Sequence, residues 1–293
     1  MSISIDTYCM ECQLRRNAEL ARSLGSAEKA TEFLRRWMKI ALELPATSPS
    51  PCSGPATNAL LHEMYGLDLD RYKAEKDASN AFALANMDGA RAEIEAAADP
   101  VFAGLQFAIL GNYLDFSALG DKVSFDTLRE MLERAKHIQL EKSTYEALRR
   151  DLAAGRKLLY LTDNAGEIGF DRLFAEQLQK TYPHLTITFC VRGGNAANDA
   201  TRADAEAVGL PFPVIDNGND VAGTVPELLS EEARQAMEEA DVILSKGMGN
   251  VETLLGCGKN IYYAFLVKCQ RFADLMGKPL MTPMLLRERD PRS

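Results

Sequence analysis

Four residues that suit ligand binding stand together where an apolar run ends, in the segment YLTDNAGEIGFD. Asp163, Asn164, Gly166 and Glu167 lie in this segment, directly before a helical pattern. A bare turn needs only one or two residues of these types. Four of them together predict a binding loop.

A second loop supplies a further carboxylate. Asp199 lies in the segment RGGNAANDAT, which follows the next apolar run. Oxygen atoms from Asp163, Asn164 and Asp199 are ligands of the kind that Mg²⁺, Mn²⁺ and similar divalent cations prefer. The chain has 3 histidines and none falls in these loops, which argues against a His-rich zinc site. The alternative is that the two aspartates only cap the helices that follow.

A lysine and two glycines follow a later apolar run, in the segment SKGMGN. Gly247 and Gly249 would let backbone N–H groups approach an anion, and Lys246 would add a positive charge. The segment lacks the Walker A pattern, and GGNAAN does not fit G-x-G-x-x-G. A plain turn between a strand and a helix is the open alternative.

Two further groups of residues could carry chemistry. In GNYLD, Asn112 and Asp115 are three residues apart and share a helical face, although this segment could equally be an ordinary helix end. Cys9 and Cys12 form the one close pair among 6 cysteines. They could bind a soft metal with other cysteines, act as a redox pair, or pack on the first helix.

The elements that must position these loops are apolar runs alternating with helical patterns after Gly155. The runs cover residues 157–163, 185–193, 212–218, 241–247 and 260–269. Strands separated by helices predict a mostly parallel sheet with right-handed connections. Such sheets bind ligands at the carboxyl ends of their strands. Because each run ends in polar residues, we predict that these residues meet at one edge of the sheet.

Helical patterns cover most of the first half of the chain. They cover residues 6–24, 26–44, 69–98, 101–114, 124–136 and 143–153. Residues 45–55 are rich in Pro, Ser and Gly, and we predict a loop without helix there. The chain therefore divides into a helical bundle or cap region, 1–154, and an α/β/α domain that binds metal and substrate, 155–293.

Composition narrows the class of protein. Of the 293 residues 46% are hydrophobic, and the formal net charge is −9. A net-acidic chain without a basic block is a poor binder of nucleic acid. No window approaches about 18 consecutive apolar residues, so no membrane span is expected. The N-terminus lacks a signal-peptide pattern, which predicts a cytoplasmic protein with mostly reduced cysteines.

With these loops in view, the chain resembles the metal-dependent damage-control phosphatases. This family was long catalogued as a domain of unknown function, and some eukaryotic members were first described as acidic-residue methyltransferases. The matching elements are C-x-x-C at 9–12, GN-x-x-D at 111–115, DNAGE at 163–167, ND-x-T at 198–201 and KG-x-GN at 246–250. The C-x-x-C element is typical of the prokaryotic branch.

The resemblance implies a helical N-terminal region packed on a Rossmann-like α/β/α sandwich. It implies Asp163, Asn164 and Asp199 as ligands of Mg²⁺, Mn²⁺, Co²⁺ or Ni²⁺, and Lys246 as a phosphate contact. The further pocket residues that it implies are Asn112, Asp115, Glu167, Asn198, Gly247 and Asn250. The expected activity is hydrolysis of small phosphorylated metabolites, and the oligomeric state is left open.

Two questions stay open at the level of sequence. The nucleophile is either a water molecule oriented by a carboxylate or Asp163 itself. We favour water, because Ala165 occupies the position where haloacid-dehalogenase phosphatases carry a second aspartate. The rival functions are methyl transfer from S-adenosylmethionine and metal binding without catalysis. DNAGE is poor in glycine for a methyl-donor loop.

Overall fold

A computed structural model of the protein describes residues 3–112 and 138–288. Within these residues six helices precede the first strand. They are α1 (Thr7–Leu24), α2 (Ala27–Glu43), α3 (Gly54–Tyr65), α4 (Lys73–Ala96), α5 (Pro100–Gly111) and α6 (Lys142–Ala154). None of the described helices is both long and apolar enough to span a membrane.

Polar side chains fix where several of these helices begin. The Asp6 side chain accepts a hydrogen bond from the backbone of Cys9 and so caps α1. Ser26 caps α2 in the same way, through the backbone N–H of Lys29. Asp99 caps α5, whose first residue is Pro100. Such caps satisfy N–H groups that have no partner within the helix.

The second half forms one six-stranded sheet. Its strands are β1 (Lys157–Leu161), β2 (Thr186–Val191), β3 (Val214–Asp216), β4 (Val242–Lys246), β5 (Ile261–Leu266) and β6 (Pro283–Arg287). The strand order is β3-β2-β1-β4-β5-β6. Every neighbouring pair is parallel except β5 and β6, which are antiparallel. The strand order therefore reverses between β1 and β4, where open parallel sheets form a ligand-binding crevice.

Helices cover both faces of this sheet. Those that follow β1 are α7 (Glu167–Thr181), α8 (Arg202–Ala207), α9 (Glu231–Glu239), α10 (Gly247–Leu254) and α11 (Gln270–Met276). On one face, Leu158 and Tyr160 of β1 pack with residues of α5, α6 and α7. On the other, Leu159 and Leu161 pack with residues of α9, α10 and α11. The result is the three-layered α/β/α sandwich expected from the sequence.

The hydrophobic core crosses the boundary drawn at residue 155. Leu105 of α5 and Leu148 of α6 belong to the same buried cluster as Leu158 and Phe174. Because α5 is buried nearly all round, other elements must cover it on more than one side, and it packs against α4 as well as against the sheet. Helices α5 and α6 of the first half thus form part of one outer layer. The domain boundary between residues 154 and 155 stays a prediction, based on the change in sequence pattern there.

The structure corrects the prediction for residues 45–55. A short 3₁₀ turn covers Ser50–Ser53, and α3 begins at Gly54 within the predicted loop. Proline is tolerated in the first turn of a helix, where its missing N–H would have no partner, so Pro55 does not prevent α3. Helices α10 and α11 and strand β6 were not predicted from the sequence. The helix predicted at 124–136 lies outside the described residues.

Candidate functional site

The two acidic loops are joined by backbone pairing at the carboxyl ends of β1 and β2. Asn164 and Asp199 form an isolated antiparallel bridge. The backbone N–H of Ala200 donates to the carbonyl of Asp163 (2.7 Å), and that of Ala165 donates to the carbonyl of Asn198 (2.9 Å). The predicted ligands Asp163, Asn164 and Asp199 are therefore brought into one place by the fold. Their role as ligands stays a prediction.

Two side-chain amides converge on the carboxylate of Asp163. Asn112 Nδ2 donates to Asp163 Oδ2 (2.7 Å), and Asn164 Nδ2 donates to the same oxygen (2.8 Å). Both amides also donate to Glu167 Oε2, at 2.9 and 3.1 Å. Asn112 follows the last residue of α5, so this helix reaches the same edge of the sheet, and the role of Asn112 in substrate binding stays a prediction. Asn112 Oδ1 is buried and has no hydrogen-bond partner within residues 3–112 and 138–288. Asp115 lies outside the described residues.

Crowding of carboxylates shapes the electrostatics of the site. Burial, together with the neighbouring charges of Glu167 and Asp199, raises the pKa of Asp163 to about 8, although Lys268 and Arg192 act to lower it. Burial also raises the pKa of Asp199, against the opposing effect of Arg192. The site therefore concentrates negative charge that the protein's own cations only partly offset.

Arg192 was not assigned a role from the sequence, yet it holds Asp199 in place. Its Nε donates to Asp199 Oδ2 (2.6 Å), and its Nη2 donates to Asn250 Oδ1 (3.1 Å). The Arg192 residue is only 2% exposed. An arginine directly after the apolar run of β2 was the available sequence signal, since a charge there must find a buried partner.

Lys246 does not have the surroundings expected of a phosphate contact. Its Nζ donates to the carbonyl of Ala108 (2.7 Å), to Glu167 Oε1 (2.5 Å) and to Asp171 Oδ1 (2.6 Å). The ammonium group has three N–H donors, and these three oxygens occupy them. Because Lys246 is also fully buried, the structure does not support the predicted phosphate contact. We assign Lys246 a positioning role below.

Gly247 and Asn250 fix how α10 meets the site. Gly247 has φ of +75°, and a Cβ placed there would lie 2.1 Å from the Asp163 carboxylate. The start of α10 therefore touches Asp163 directly. Asn250 is buried, and its Nδ2 donates to the carbonyls of Thr162 (3.1 Å) and Lys246 (2.7 Å). These bonds hold the ends of β1 and β4 together, so Asn250 shapes the pocket from behind.

Helix α4 braces the same loops from the other side. Asn80 Oδ1 accepts from the backbone N–H of Gly166 (2.7 Å), and Asn80 Nδ2 donates to Asp204 Oδ1 (2.8 Å). Lys76 of α4 forms a buried ion pair with Asp204 (2.7 Å). Both acidic loops thus contact one helix of the first half of the chain.

Cys9 and Cys12 lie in α1 and contact other elements. Arg271 Nη1 donates to Cys9 Sγ (3.0 Å), and all six cysteines are free thiols. Among residues 3–112 and 138–288, no three His, Cys, Asp or Glu side chains are grouped as metal ligands. The second metal therefore has no support there, and a redox role stays a prediction. The candidate cation site itself consists of two carboxylates and one amide.

Sheet order and loop chemistry together define an α/β protein with a cluster of acidic side chains at the reversal point of a Rossmann-like sheet. The family model of the damage-control phosphatase ARMT1-like domain matches residues 5–282. The chain belongs to this family.

Relatives from archaea agree with this assignment. An uncharacterized protein, MJ0202 of Methanocaldococcus jannaschii, is 30% identical over 98% of this chain and 96% of its own. A protein of Archaeoglobus fulgidus named damage-control phosphatase is 33% identical over 74% of this chain and 75% of its own. The crystal structure of a DUF89 family protein, PH1575 of Pyrococcus horikoshii, has a TM-score of 0.83. It covers 98% of this chain and 99% of that chain at 23% identity, a likeness of fold.

Proposed function

We propose that this protein is a divalent-metal-dependent phosphatase that hydrolyses small phosphate esters, such as sugar phosphates or damaged phosphorylated metabolites. The observation that carries the proposal is the meeting of the β1 and β2 loops, which presents Asp163, Asn164 and Asp199 at the reversal point of the sheet. The relatives named damage-control phosphatase support the reaction class.

The chemistry of the site fits a divalent cation. Asp163, Glu167, Asp171 and Asp199 outnumber the two buried cations of the site, Lys246 and Arg192. Asn112 Oδ1, which has no partner in the described part of the chain, is a further buried polar atom that requires one. We propose Asp163, Asn164 and Asp199 as the groups that hold Mg²⁺, Mn²⁺, Co²⁺ or Ni²⁺. When bound, the cation would offset the charge that develops on the phosphoryl oxygens.

We assign the phosphate contact to Lys268 in place of Lys246. Lys268 follows β5, the neighbour of β4, and is partly exposed. Its charge acts on Asp163, since it lowers the pKa of that carboxyl. The first backbone N–H groups of α10, beside Gly247, would contribute further donors to the same anion. Lys246 instead fixes the carboxylate of Glu167.

We keep a water molecule as the proposed nucleophile. Ala165 is buried two residues after Asp163 and offers no proton donor for a leaving group. Asp163 Oδ2 already accepts from the amides of Asn112 and Asn164, which hold this carboxylate in place and support a role as a ligand. Detection of a phosphorylated aspartate after rapid acid quenching would show that Asp163 attacks instead.

A panel of phosphate esters tests the proposal directly. Protein dialysed against a chelator should release no phosphate until Mg²⁺, Mn²⁺, Co²⁺ or Ni²⁺ is added. Asp163→Ala and Asp199→Ala should abolish this metal-stimulated release while circular dichroism stays unchanged. Full activity in both variants would overturn the ligand assignment. Binding of S-adenosylmethionine by the metal-free protein would support the transferase, and metal binding without turnover would support a non-catalytic protein.

A further inference from the structure

Asp171 is a buried carboxylate that lies behind the proposed cation site. Its Oδ1 accepts from Lys246 Nζ (2.6 Å) and from the hydroxyl of Tyr160 (2.7 Å). Its Oδ2 is also buried and has no hydrogen-bond partner among the residues that the structure describes. Burying an unpaired carboxylate oxygen costs free energy, so this arrangement calls for a role beyond packing.

A continuous chain of hydrogen bonds links Asp171 to Asp163. Lys246 Nζ lies between Asp171 Oδ1 and Glu167 Oε1. The other oxygen of Glu167 accepts from the amides of Asn112 and Asn164. Those same two amides donate to Asp163 Oδ2. From Asp171 towards Asp163, each group in this series of hydrogen bonds is thus held by the group before it.

The position of Glu167 depends on Lys246 being shared. Glu167 and Asp171 are four residues apart in α7, on the same helical face, and both are 0% exposed. Like charges at this spacing repel each other, and the lysine between them removes that repulsion. With a neutral residue at 171, Lys246 would have one carboxylate partner and would no longer be held between two.

We infer that Asp171 is a positioning residue for the cation site, acting through Lys246 to hold Glu167 where it fixes the amides of Asn112 and Asn164 on Asp163. The inference rests on the proposed function, because the cation site that Asp171 would support is part of that proposal. Its structural part concerns only the chain of hydrogen bonds.

The test uses the full-length protein with Asp171→Asn, which keeps the size of the side chain and removes its charge. Titration calorimetry with Mn²⁺ alone should show roughly 10- to 100-fold weaker binding, the usual range when the support of a metal ligand is lost. In ¹⁵N-asparagine-labelled protein, the side-chain amide signal of Asn112, assigned with Asn112→Ser, should shift. Tyr160→Phe removes one donor to Asp171 and should shift the same signal by less.

Glu288→Gln is the matched control. Glu288 is also a buried carboxylate bonded to a tyrosine on the same sheet, through the Tyr263 hydroxyl (2.8 Å). This variant should leave Mn²⁺ affinity and the Asn112 signal unchanged.

The two ideas can fail separately. An unshifted Asn112 signal in both the Asp171 and Tyr160 variants, with unchanged Mn²⁺ affinity, would overturn the positioning role even if the wild-type protein hydrolyses phosphate esters. A shifted signal in a protein that hydrolyses no ester would support the positioning role and overturn the proposed function.

Discussion

At the scale of single residues, Gly247 shows how closely the site is built. Its φ of +75° is costly for any residue with a Cβ, and the Asp163 carboxylate occupies the space that a Cβ would need. Glycine at this position therefore permits both the turn into α10 and the contact of α10 with Asp163.

We predict that Gly247→Ala abolishes metal-stimulated phosphate release and destabilises the fold by more than about 2 kcal/mol, because strain and a clash add. Gly258→Ala is the control, since Gly258 has φ of +76° and no atom would lie within 4 Å of a Cβ added there. It should lose only about 1 kcal/mol and keep full activity. Urea unfolding measures the loss of stability in each variant, and the phosphatase assay measures the activity. Equal losses in the two variants would show that the contact with Asp163 is unimportant.

At the scale of elements, α4 braces the loops that end β1 and β2. Its Asn80 joins the backbone of Gly166 to Asp204, while Lys76 neutralises the same aspartate. A helix far from these loops in sequence thus determines their conformation. This contact accounts for two of the buried polar residues of α4, Lys76 and Asn80.

We predict that Asn80→Ala costs about 1–3 kcal/mol and lowers activity at least about tenfold, because a buried N–H of the Gly166 loop loses its acceptor. Asn86→Ala is the matched control in the same helix. Asn86 is also buried, but its Nδ2 donates to the carbonyl of Phe82 one turn earlier in α4. This variant should lose stability without loss of kcat. Equal kcat values for both variants would contradict a bracing role for α4.

At the scale of the whole molecule, pH acts through a buried carboxyl as well as through the net charge of −9. Glu252 Oε2 is buried, and no described residue forms a hydrogen bond with it. Burial raises the pKa of Glu252 from 4.5 to about 7, which Arg271 opposes and Asp6 reinforces. The unfolded chain releases this proton near pH 4.5, whereas the folded chain retains it to about pH 7. Stability therefore falls as pH rises through this window.

We predict that at pH 8 the free energy of unfolding of Glu252→Gln, measured with urea, exceeds that of the wild type by about 2 kcal/mol. Near pH 4.5 the variant should show no gain in this free energy. The difference between the two proteins removes the contribution of net charge. Glu206→Gln, a change at an exposed glutamate, should show no such dependence on pH. If Glu252→Gln gained the same stability at both pH values, the raised pKa of the buried Glu252 carboxyl would not be the cause of that gain.

The sequence by itself determined most of the sheet, the covering helices other than α10 and α11, and the loops that carry the candidate ligands, because periodicity and turn residues are local signals. Alternating apolar and helical runs gave five of the six strands, and DNAGE and ND-x-T gave the loops that meet. Strand β6 was not predicted, because it forms only by pairing with β5, and this pairing has no signal in the local sequence.

Only the tertiary structure decided which charged side chains face the pocket and which lie behind it. Lys246 follows a strand as a phosphate contact would, but three protein oxygens surround it. Arg192 and Asp171 carried no motif, and their importance appears only when Asp199 and Lys246 are found beside them. The reason is physical: a buried charge depends on partners distant in sequence, and no local pattern specifies them.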